Sequence, residues 1–425
     1  MLARFLNEEL KEKYGIHPDR FQRKEVGEMT VYYAKSWYQD VSFALIMTLA
    51  GSFFDPKGKK GLAHLTEHML FTGSEKYTES DIERIGLECG AHFNAGTWQH
   101  MVCVYGSPLT RKLEDFLDVL VEVSCHAKPS EEVFKREHKV VQQERQDGEA
   151  DIDSVMDAHL YRNVFEDCPL SLPVIGTKET IDNIGFSDVE DYLSTYFVPE
   201  RQIMVIRSFL DWPEVERMLR YHFHGRSVRR IDFSEVANDF RLKPKDSEML
   251  TDFPNVALSY VMPFSLKIPE DGKADILIRM AGSNGMNSIL WDILRRKKGL
   301  VYGVNSNYCT FMHSPKTLMQ VSATFSDTTK IEEVKEDIRE TFQNPSLYTK
   351  ERLEQVILGI ESSMASIFMT AAGGTWNLLQ SLCIGDTIDF NEMFNRCASV
   401  NLSDVREELK RLELWKGRFF VIRHR

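Results

Sequence analysis

Runs of hydrophobic residues predict several strands in the first quarter of the chain. Thr30–Ala34 and Val41–Ala50 combine aliphatic, aromatic and β-branched residues. The second run is too short to cross a bilayer, so it favours a buried strand. Phe93–Tyr105, rich in Thr, Trp, Val and Tyr, predicts two further strands.

Helical periodicity alternates with these runs. Four early segments carry it: about Leu62–Phe71, Ser80–Cys89, Leu113–Cys125 and Glu131–Asp147. Gly90 suits the position just after the second helix. Pro129 and Ser130 precede the fourth helix, and acidic residues fill its first turn, as at many helix starts.

The pattern then repeats in kind. A strand at Arg201–Ile206 and a helix at about Trp212–Phe223 lead to Gly225–Asp239, a basic, weakly patterned candidate linker. The elements predicted beyond it are strands at Val256–Val261, Val301–Tyr308 and Arg418–His424, and helices at Asn287–Arg296, Ile331–Phe342 and Lys350–Met369. Antiparallel-looking strands alternating with helix pairs predict the α+β class, with one kind of domain used twice.

Length and composition set the scale. A chain of 425 residues exceeds a single hydrophobic core, and we predict a first domain at residues 1–228 and a second at 229–425. With 43% hydrophobic and 27% charged residues the composition is globular. The net charge of −12 gives no basic footprint, so we expect neither nucleic acid nor an anionic membrane as a partner.

Two features bear on the compartment. Residues 1–20 are charged throughout and lack an apolar core, so no secretory signal is expected. Seven scattered cysteines without a C-x-x-C pair favour reduced thiols in the cytoplasm. A mature form that has lost a targeting peptide stays open as an alternative.

The segment Gly61-Leu-Ala-His64-Leu-Thr-Glu67-His68 carries the clearest chemistry. On a helix, positions i, i+3 and i+4 share one face, so His64, Glu67 and His68 point the same way. Two imidazoles one turn apart suit a tetrahedral Zn²⁺, and the carboxylate beside them can act as a general base. The order is H-x-x-E-H, the reverse of H-E-x-x-H. The competing interpretation is a helix with two surface histidines and a glutamate.

A third ligand is expected from the helix Glu131–Asp147. Val133, Glu137, Val140 and Glu144 form one stripe along it. Carboxylates on an otherwise apolar stripe are costly unless they are paired or bind a metal. A solvated stripe on a charged helix explains the same pattern equally well.

These segments, taken in order, resemble the M16 peptidases, a family that includes pitrilysin-like, insulin-degrading and mitochondrial-processing enzymes. The order and spacing of several blocks carry the resemblance: Ala50–Ser52, Gly61–Gly73, His92–Ala95 with Thr97, Glu137–Glu144, Ile175–Thr177, Tyr196–Pro199, Ser288 and Leu294–Tyr302.

The resemblance implies roles for individual residues. His64, His68 and Glu144 would bind one Zn²⁺ per active site, Glu67 would be the base, and Glu137 a supporting carboxylate. Arg295 and Tyr302 match the pair that the family's second domain presents to the substrate and its oxyanion. Asn94 and Ala95 match an edge strand on which a peptide lies by strand addition.

The resemblance also implies an assembly and an activity. The length is similar to that of a short, bacterial-type branch, in which two chains, identical or related, pair into a clam-like chamber. We therefore expect a zinc endopeptidase acting on peptides or unstructured segments, either a general scavenger or a dedicated maturation protease. The alternative is a non-catalytic, peptide-binding subunit of a heterodimeric M16 peptidase.

Overall fold

A computed structural model gives the fold. It describes residues 21–36, 39–91, 93–166, 168–223, 241–242, 245–265, 272–283, 285–311, 316–367, 370–384 and 389–425. The candidate linker Gly225–Asp239 lies outside the described residues.

The strands are numbered in chain order. They are β1 Gln22–Val26, β2 Met29–Lys35, β3 Phe43–Thr48, β4 Asn94–Thr97, β5 Val102–Gly106, β6 Phe165–Glu166, β7 Gln202–Ser208, β8 Arg241–Leu242, β9 Ser247–Thr251, β10 Val256–Ser265, β11 Gly303–Thr310, β12 Lys316–Phe325 and β13 Arg418–His424.

The α-helices are numbered likewise. They are α1 Leu62–Met69, α2 Glu79–Glu88, α3 Leu113–Cys125, α4 Glu131–Gly148, α5 Ile152–Val164, α6 Lys178–Asp182, α7 Phe186–Tyr196, α8 Trp212–Arg220, α9 Gly272–Ile278, α10 Ile331–Gln343, α11 Lys350–Ile367, α12 Thr375–Ile384, α13 Phe390–Ala398 and α14 Leu402–Arg411. None of these helices is both long and apolar enough to cross a bilayer.

The first sheet has six strands in the order β1-β2-β7-β3-β5-β4. Only β2 and β7 run parallel, so the sheet is mixed. β3 is buried along its whole length between β7 and β5, as its continuous apolar run predicts. Ala44 and Ile46 on one face of β3 belong to a core that also contains Leu65 of α1 and Leu117 of α3. Helix α1, the metal-motif helix that contains the H-x-x-E-H segment, is therefore packed on the sheet through its apolar side.

The second sheet repeats this arrangement. Its order is β11-β12-β10-β13-β9, and only β13 and β9 run parallel. When β2, β3, β4, β5 and β7 are numbered 1 to 5 along the chain, their order across the first sheet is 1-5-2-4-3. Numbering β9 to β13 in the same way gives the same order across the second sheet. The prediction of one α+β domain used twice is confirmed, with β1 as an addition to the first sheet.

Two compact units contain these sheets, and neither is continuous in sequence. The first comprises the described residues of Met1–Asp147, Leu172–Asp232 and Ser366–Leu378. The second comprises those of Gly148–Ser171, Phe233–Ala365 and Leu379–Arg425. The single boundary between residues 228 and 229 is simpler than this division, in which each unit holds a segment from the other side of that boundary.

The helix predicted at Asn287–Arg296 has an unusual form. Trp291–Lys297 is a π-helix, with Lys298 N donating to Ile293 O at 3.2 Å. Because a π-helix has a wider turn than an α-helix, Arg295 and its neighbours point in directions that a 3.6-residue period would not predict.

Candidate metal centre

Helix α1 has a polar face and a buried face. Leu62, Leu65 and Met69 are buried, whereas the side chains of His64 and His68 keep 13% and 21% of their surface exposed. The apolar positions therefore fix the helix on the core, and the polar residues of the motif face away from it.

Asp55 anchors the start of α1. Its carboxylate accepts hydrogen bonds from Gly61 N at 2.9 Å and Ala63 N at 2.8 Å, two N–H groups that no turn of the helix satisfies. Burial raises the pKa of Asp55 to about 6, against the opposing effects of Lys60 and these two N–H groups.

A second contact fixes the same helix end. Gly61, at φ +102°, lies against Ile175, so that a Cβ at Gly61 would come within 2.5 Å of Ile175 O. In return, a Cβ at Gly176 would come within 2.1 Å of Lys60 O. The segments Gly61–Gly73 and Ile175–Thr177, distant in sequence, are thus packed backbone to backbone.

The three polar residues of the motif form one group. His64, Glu67 and His68 each offer one ligand atom, and these three atoms lie within 4.8 Å of one another. Among the described residues, no other group of three or more potential metal ligands is this close. The His64 and His68 rings are 4.8 Å apart between centroids. The structure therefore brings the predicted pair of imidazoles and the predicted base together.

Glu144 of α4 faces both imidazoles. Its Oε1 lies 3.8 Å from His64 Nε2, and its Oε2 lies 3.3 Å from His68 Nε2. Two ligands at about 2.0–2.1 Å from a tetrahedral zinc ion are separated by roughly 3.3–3.4 Å. The donors present, two imidazole nitrogens and a carboxylate, are ordinary zinc ligands, and their spacing fits one ion.

Glu137 contacts the opposite edge of one ring. Its Oε2 lies 3.4 Å from His68 Nδ1, about two turns before Glu144 on α4. The stripe predicted to be apolar is not buried, because Val140 between the two glutamates is 45% exposed. The carboxylates of α4 therefore border the polar face of α1 instead of lining a core.

The protonation states suit metal binding. Burial, helped by the nearby His68, lowers the pKa of His64 to about 4, so its ring is neutral at pH 7. Nδ1 of His64 is buried and has no hydrogen-bond partner among the described residues. Burial raises the pKa of Glu67, although His68 and a hydrogen bond from Thr97 oppose the shift. A general base works best when its pKa approaches the working pH.

Strand β4 borders this group and forms the open edge of its sheet. Thr97 Oγ1 donates to Glu67 Oε2 at 3.4 Å. Trp98 N donates to Met101 O, so Trp98 and Met101 form a hydrogen-bonded pair at the end of the ladder between β4 and β5. Such pairs alternate with non-hydrogen-bonded pairs in an antiparallel ladder. The backbone N–H and C=O groups of Ala95 and Thr97 therefore point away from β5, towards the open side of β4. Asn94 Oδ1 accepts from the Ala95 N–H at 2.9 Å. His92, part of the same segment, lies outside the described residues.

Arg295 and Tyr302 lie in the second compact unit and contact each other. Arg295 Nη1 donates to the carbonyls of Val301, at 3.2 Å, and Tyr302, and its guanidinium lies 5.0 Å from the Tyr302 ring centroid. Tyr302 is 80% exposed. The structure brings this predicted pair together within the second unit, whereas the predicted ligands belong to the first.

Asp55 has no place in the sequence prediction. Asp55-Pro56-Lys57-Gly58 has the composition of a turn, and nothing in that pattern shows that the carboxylate reaches Gly61 and Ala63. An acidic residue six to eight positions before a helix start is a weak signal that only the folded loop makes specific.

The fold and the site together define a two-domain α+β protein with an H-x-x-E-H helix and a facing glutamate. Residues 28–178 match the family model described as "Insulinase (Peptidase family M16)", and residues 183–357 match the one described as "Peptidase M16 inactive domain". The chain belongs to the M16 peptidase family, as the sequence resemblance predicts.

Curated relatives carry different roles. The chain is 27% identical over 236 residues to ubiquinol-cytochrome-c reductase complex core protein I of Euglena gracilis, covering 55% of the chain and 47% of the relative. It is 28% identical over 191 residues to a probable mitochondrial-processing peptidase subunit beta of Arabidopsis thaliana, covering 45% and 36%. It is 24% identical over 300 residues to an uncharacterized zinc protease of Rickettsia bellii, covering 70% of each. The chain thus spans about half or less of the first two relatives.

Solved structures match over almost the whole chain. A protease from Helicobacter pylori has a TM-score of 0.83 at 17% identity and covers 95% of this chain and 99% of that one. A peptidase M16 inactive domain from Pseudomonas fluorescens has a TM-score of 0.81 at 16% identity and covers 96% and 98%. At these identities the likeness establishes the shared fold.

Proposed function

We propose that the protein is a zinc-dependent endopeptidase that hydrolyses peptides or unstructured segments. One observation carries the proposal: His64 Nε2 and His68 Nε2 face the same Glu144 carboxylate at 3.8 and 3.3 Å, with Glu67 beside them. The family is one of metallopeptidases, and the matching Rickettsia bellii relative bears the name of a zinc protease.

The chemistry follows from the residues around this point. His64, His68 and Glu144 would hold a zinc ion, which when bound would supply Lewis-acid polarisation of the scissile carbonyl and a lower pKa for water. Glu67, whose pKa is raised by burial, takes the proton from the attacking water and passes it to the leaving amine. Thr97 restrains the Glu67 carboxylate from the neighbouring strand.

Substrate binding is assigned to the edge of the first sheet. The outward backbone groups of Ala95 and Thr97 on β4 suit an extended peptide, which would displace the Asn94 side chain from the Ala95 N–H. Arg295 and Tyr302 are proposed to stabilise the substrate and its oxyanion in a chamber formed with a second chain, identical or related. The names of two relatives, a peptidase subunit and a complex core protein, support a multi-subunit assembly.

Replacing Glu67 by Gln tests the mechanism. Loss of a general base removes about 10²–10⁴-fold in rate, so we expect E67Q to cleave a quenched fluorescent peptide at least about 100-fold more slowly. Zinc content should stay at the wild-type level, because Glu67 is not among the proposed ligands. The control is E83Q, a substitution of an exposed glutamate on α2, which should cleave at the wild-type rate. Full activity of E67Q would refute the mechanism.

A non-catalytic, peptide-binding subunit is the second candidate. It is favoured by the match of residues 183–357 to an inactive-domain description and by the core-protein relative. Metal analysis and cleavage of a mixed peptide library, by the chain alone and with a related subunit, separate the two. An enzyme should carry about one zinc per chain and cleave the library. A binding subunit should do neither while retaining peptide affinity.

A further inference from the structure

Arg136 links two carboxylates beside the metal centre. It lies on α4 immediately before Glu137, and its Nε donates to Glu137 Oε1 at 2.8 Å. Its Nη1 and Nη2 donate to the two oxygens of Glu79, at 3.1 and 2.6 Å. Glu79 is the first residue of α2. One guanidinium therefore ties the N-terminus of α2 to the carboxylate that follows it on α4.

The far oxygen of that carboxylate meets a proposed ligand. Glu137 Oε2 lies 3.4 Å from His68 Nδ1, while His68 Nε2 faces Glu144 at 3.3 Å. The Glu137 side chain is 13% exposed, so water competes weakly for its oxygens. A four-member chain, Glu79–Arg136–Glu137–His68, thus runs from the surface to the centre.

We infer that Arg136 is a positioning residue for the metal centre, because it holds Glu137 against Nδ1 of His68. The inference rests on the proposed zinc site. A carboxylate at Nδ1 keeps the proton on that nitrogen and leaves Nε2 with the lone pair that a metal needs. Without Arg136, the Glu137 carboxylate is free to rotate away from the ring, and its charge is no longer offset by the guanidinium.

The geometry requires arginine. Three N–H groups in one plane reach two carboxylates on different helices, a bridge that the single ammonium group of lysine cannot reproduce. If Arg136 merely formed a surface ion pair between α2 and α4, removing it would change stability slightly and leave metal binding unchanged.

Zinc affinity and the spectrum of the Co²⁺-substituted protein test the inference, both independently of peptide cleavage. Partners that orient a metal-bound histidine commonly change affinity by about 10–100-fold. Arg136 acts one residue further out, so we expect R136A to weaken zinc binding about tenfold in competition with a chromophoric chelator. The Co²⁺ absorption bands should shift, since the orientation of the His68 ring changes.

Three variants sharpen the test. R136K should resemble R136A, and E79Q should weaken zinc binding by a smaller factor, because Arg136 keeps its bond to Glu137. R84A is the matched control: Arg84 is an exposed arginine on α2 that donates to Glu88 and Asp81 of its own helix. Its zinc affinity should equal that of the wild type.

Unchanged zinc affinity and Co²⁺ spectrum in folded R136A would overturn the inference. If R136A does not fold, the same result in both R136K and E79Q would overturn it equally. A wild-type chain that binds zinc but cleaves no peptide would remove the proposed function and leave the role of Arg136 intact. A wild-type chain that binds no zinc would remove both.

Discussion

At the scale of single residues, Asp55 shows how a residue outside α1 holds the start of that helix in place. Its carboxylate accepts from two backbone N–H groups at the start of α1 and is buried beside Lys60. The two hydrogen bonds favour the carboxylate, while burial penalises its charge. The raised pKa, about 6, indicates that burial outweighs the bonds.

This balance predicts a pH-dependent contribution to stability. The pKa of Asp55 is higher in the folded protein than its usual value of 3.8, so its stabilising contribution is complete below pH 3.8 and is lost as the pH rises through about 6. D55N cannot ionise. The difference in unfolding free energy between D55N and wild type should therefore shift in favour of D55N by up to about 3 kcal/mol from pH 4 to pH 8.

Urea unfolding at several pH values measures that difference, and other titrating groups cancel because both proteins contain them. D55A provides the comparison for the hydrogen bonds. It should be less stable than D55N at every pH, because it accepts neither N–H. A constant difference between D55N and wild type from pH 4 to pH 8 would contradict the assignment.

The residues of the candidate site could be predicted from sequence to different degrees. His64, Glu67 and His68 lie within one helical turn, so their common face follows from helix geometry alone. Glu144 required the family resemblance, because its stripe includes the exposed Val140 and does not distinguish a ligand from a solvated glutamate. Arg136 and Asp55 carry no local signal, because Glu79, which Arg136 joins to Glu137, lies on another helix and the partners of Asp55 lie across a turn.

At the scale of elements, the contact between Lys60–Gly61 and Ile175–Gly176 locks a loop against the start of α1. Gly176 has φ +85° and no room for a Cβ beside Lys60 O. Thr180 Oγ1 also donates to Lys60 O, at 2.7 Å, so this carbonyl cannot move without losing a bond. The close approach fixes one end of the metal-motif helix.

Alanine at Gly176 should therefore destabilise the protein strongly. We expect a loss of about 3 kcal/mol or more, from the left-handed backbone and the forced movement of Lys60 O together. G58A is the matched control, because Gly58 has φ +82° and no other atom lies within 4 Å of the point that an alanine Cβ would occupy there. It should lose only about 1 kcal/mol.

Thermal or urea unfolding of the two variants isolates the close contact, because the backbone penalty is common to both. Zinc affinity should fall in G176A and not in G58A, since only Gly176 touches the helix start. Equal stability losses in the two variants would show that the contact with Lys60 is unimportant.

The elements that could be predicted are those with a regular apolar face. α3 and β13 begin and end where their patterns predict, and the ends of α2, β3 and α10 differ from the predicted ends by no more than two residues. The prediction omits β12, although its residues alternate between buried and partly buried positions along most of its length, and it omits every helix from Ile152 to Tyr196 and from Thr375 to Arg411. α5 contacts β10 and β13, which lie far from it along the chain, so its packing carries no local signal. The end of the helix predicted as Lys350–Met369 includes residues 368–369, which lie outside the described residues.

At the scale of the whole molecule, the shared strand order of the two sheets indicates one architecture used twice. In both sheets the third strand of the series is an edge strand, β4 in the first and β11 in the second. The sequence predicts the repetition in kind, but strand order depends on contacts between residues far apart and cannot be deduced from local patterns.

The first compact unit also includes a segment from the distant part of the chain. Buried Arg207 of β7 donates to the carbonyls of Gly373 and Thr370, and Trp376 lies 5.1 Å from the Tyr105 ring of β5. A fragment of residues 1–228 contains every proposed zinc ligand but lacks this segment. We expect it to be about 3–5 kcal/mol less stable than the first unit of the full chain, because a buried charge loses acceptors.

Hydrogen exchange of β7 amides in the fragment and in the full chain measures this difference. R207M provides an internal control, because it should change the stability of the two proteins in opposite directions. It should destabilise the full chain, where it removes the hydrogen bonds of Arg207. It should stabilise the fragment, where the buried charge has lost its acceptors. Equal protection of β7 in both would show that the segment 366–378 contributes little.

This division of the chain affects the order in which the protein can mature. Synthesis proceeds from the N-terminus, so His64, His68 and Glu144 emerge early, yet the unit that holds them is complete only when residues 366–378 follow. By then residues 233–365 of the second unit have already been made. We therefore expect stable capture of the proposed zinc ion only towards the end of translation, and a ribosome stalled midway would carry the proposed ligands without a finished framework around them.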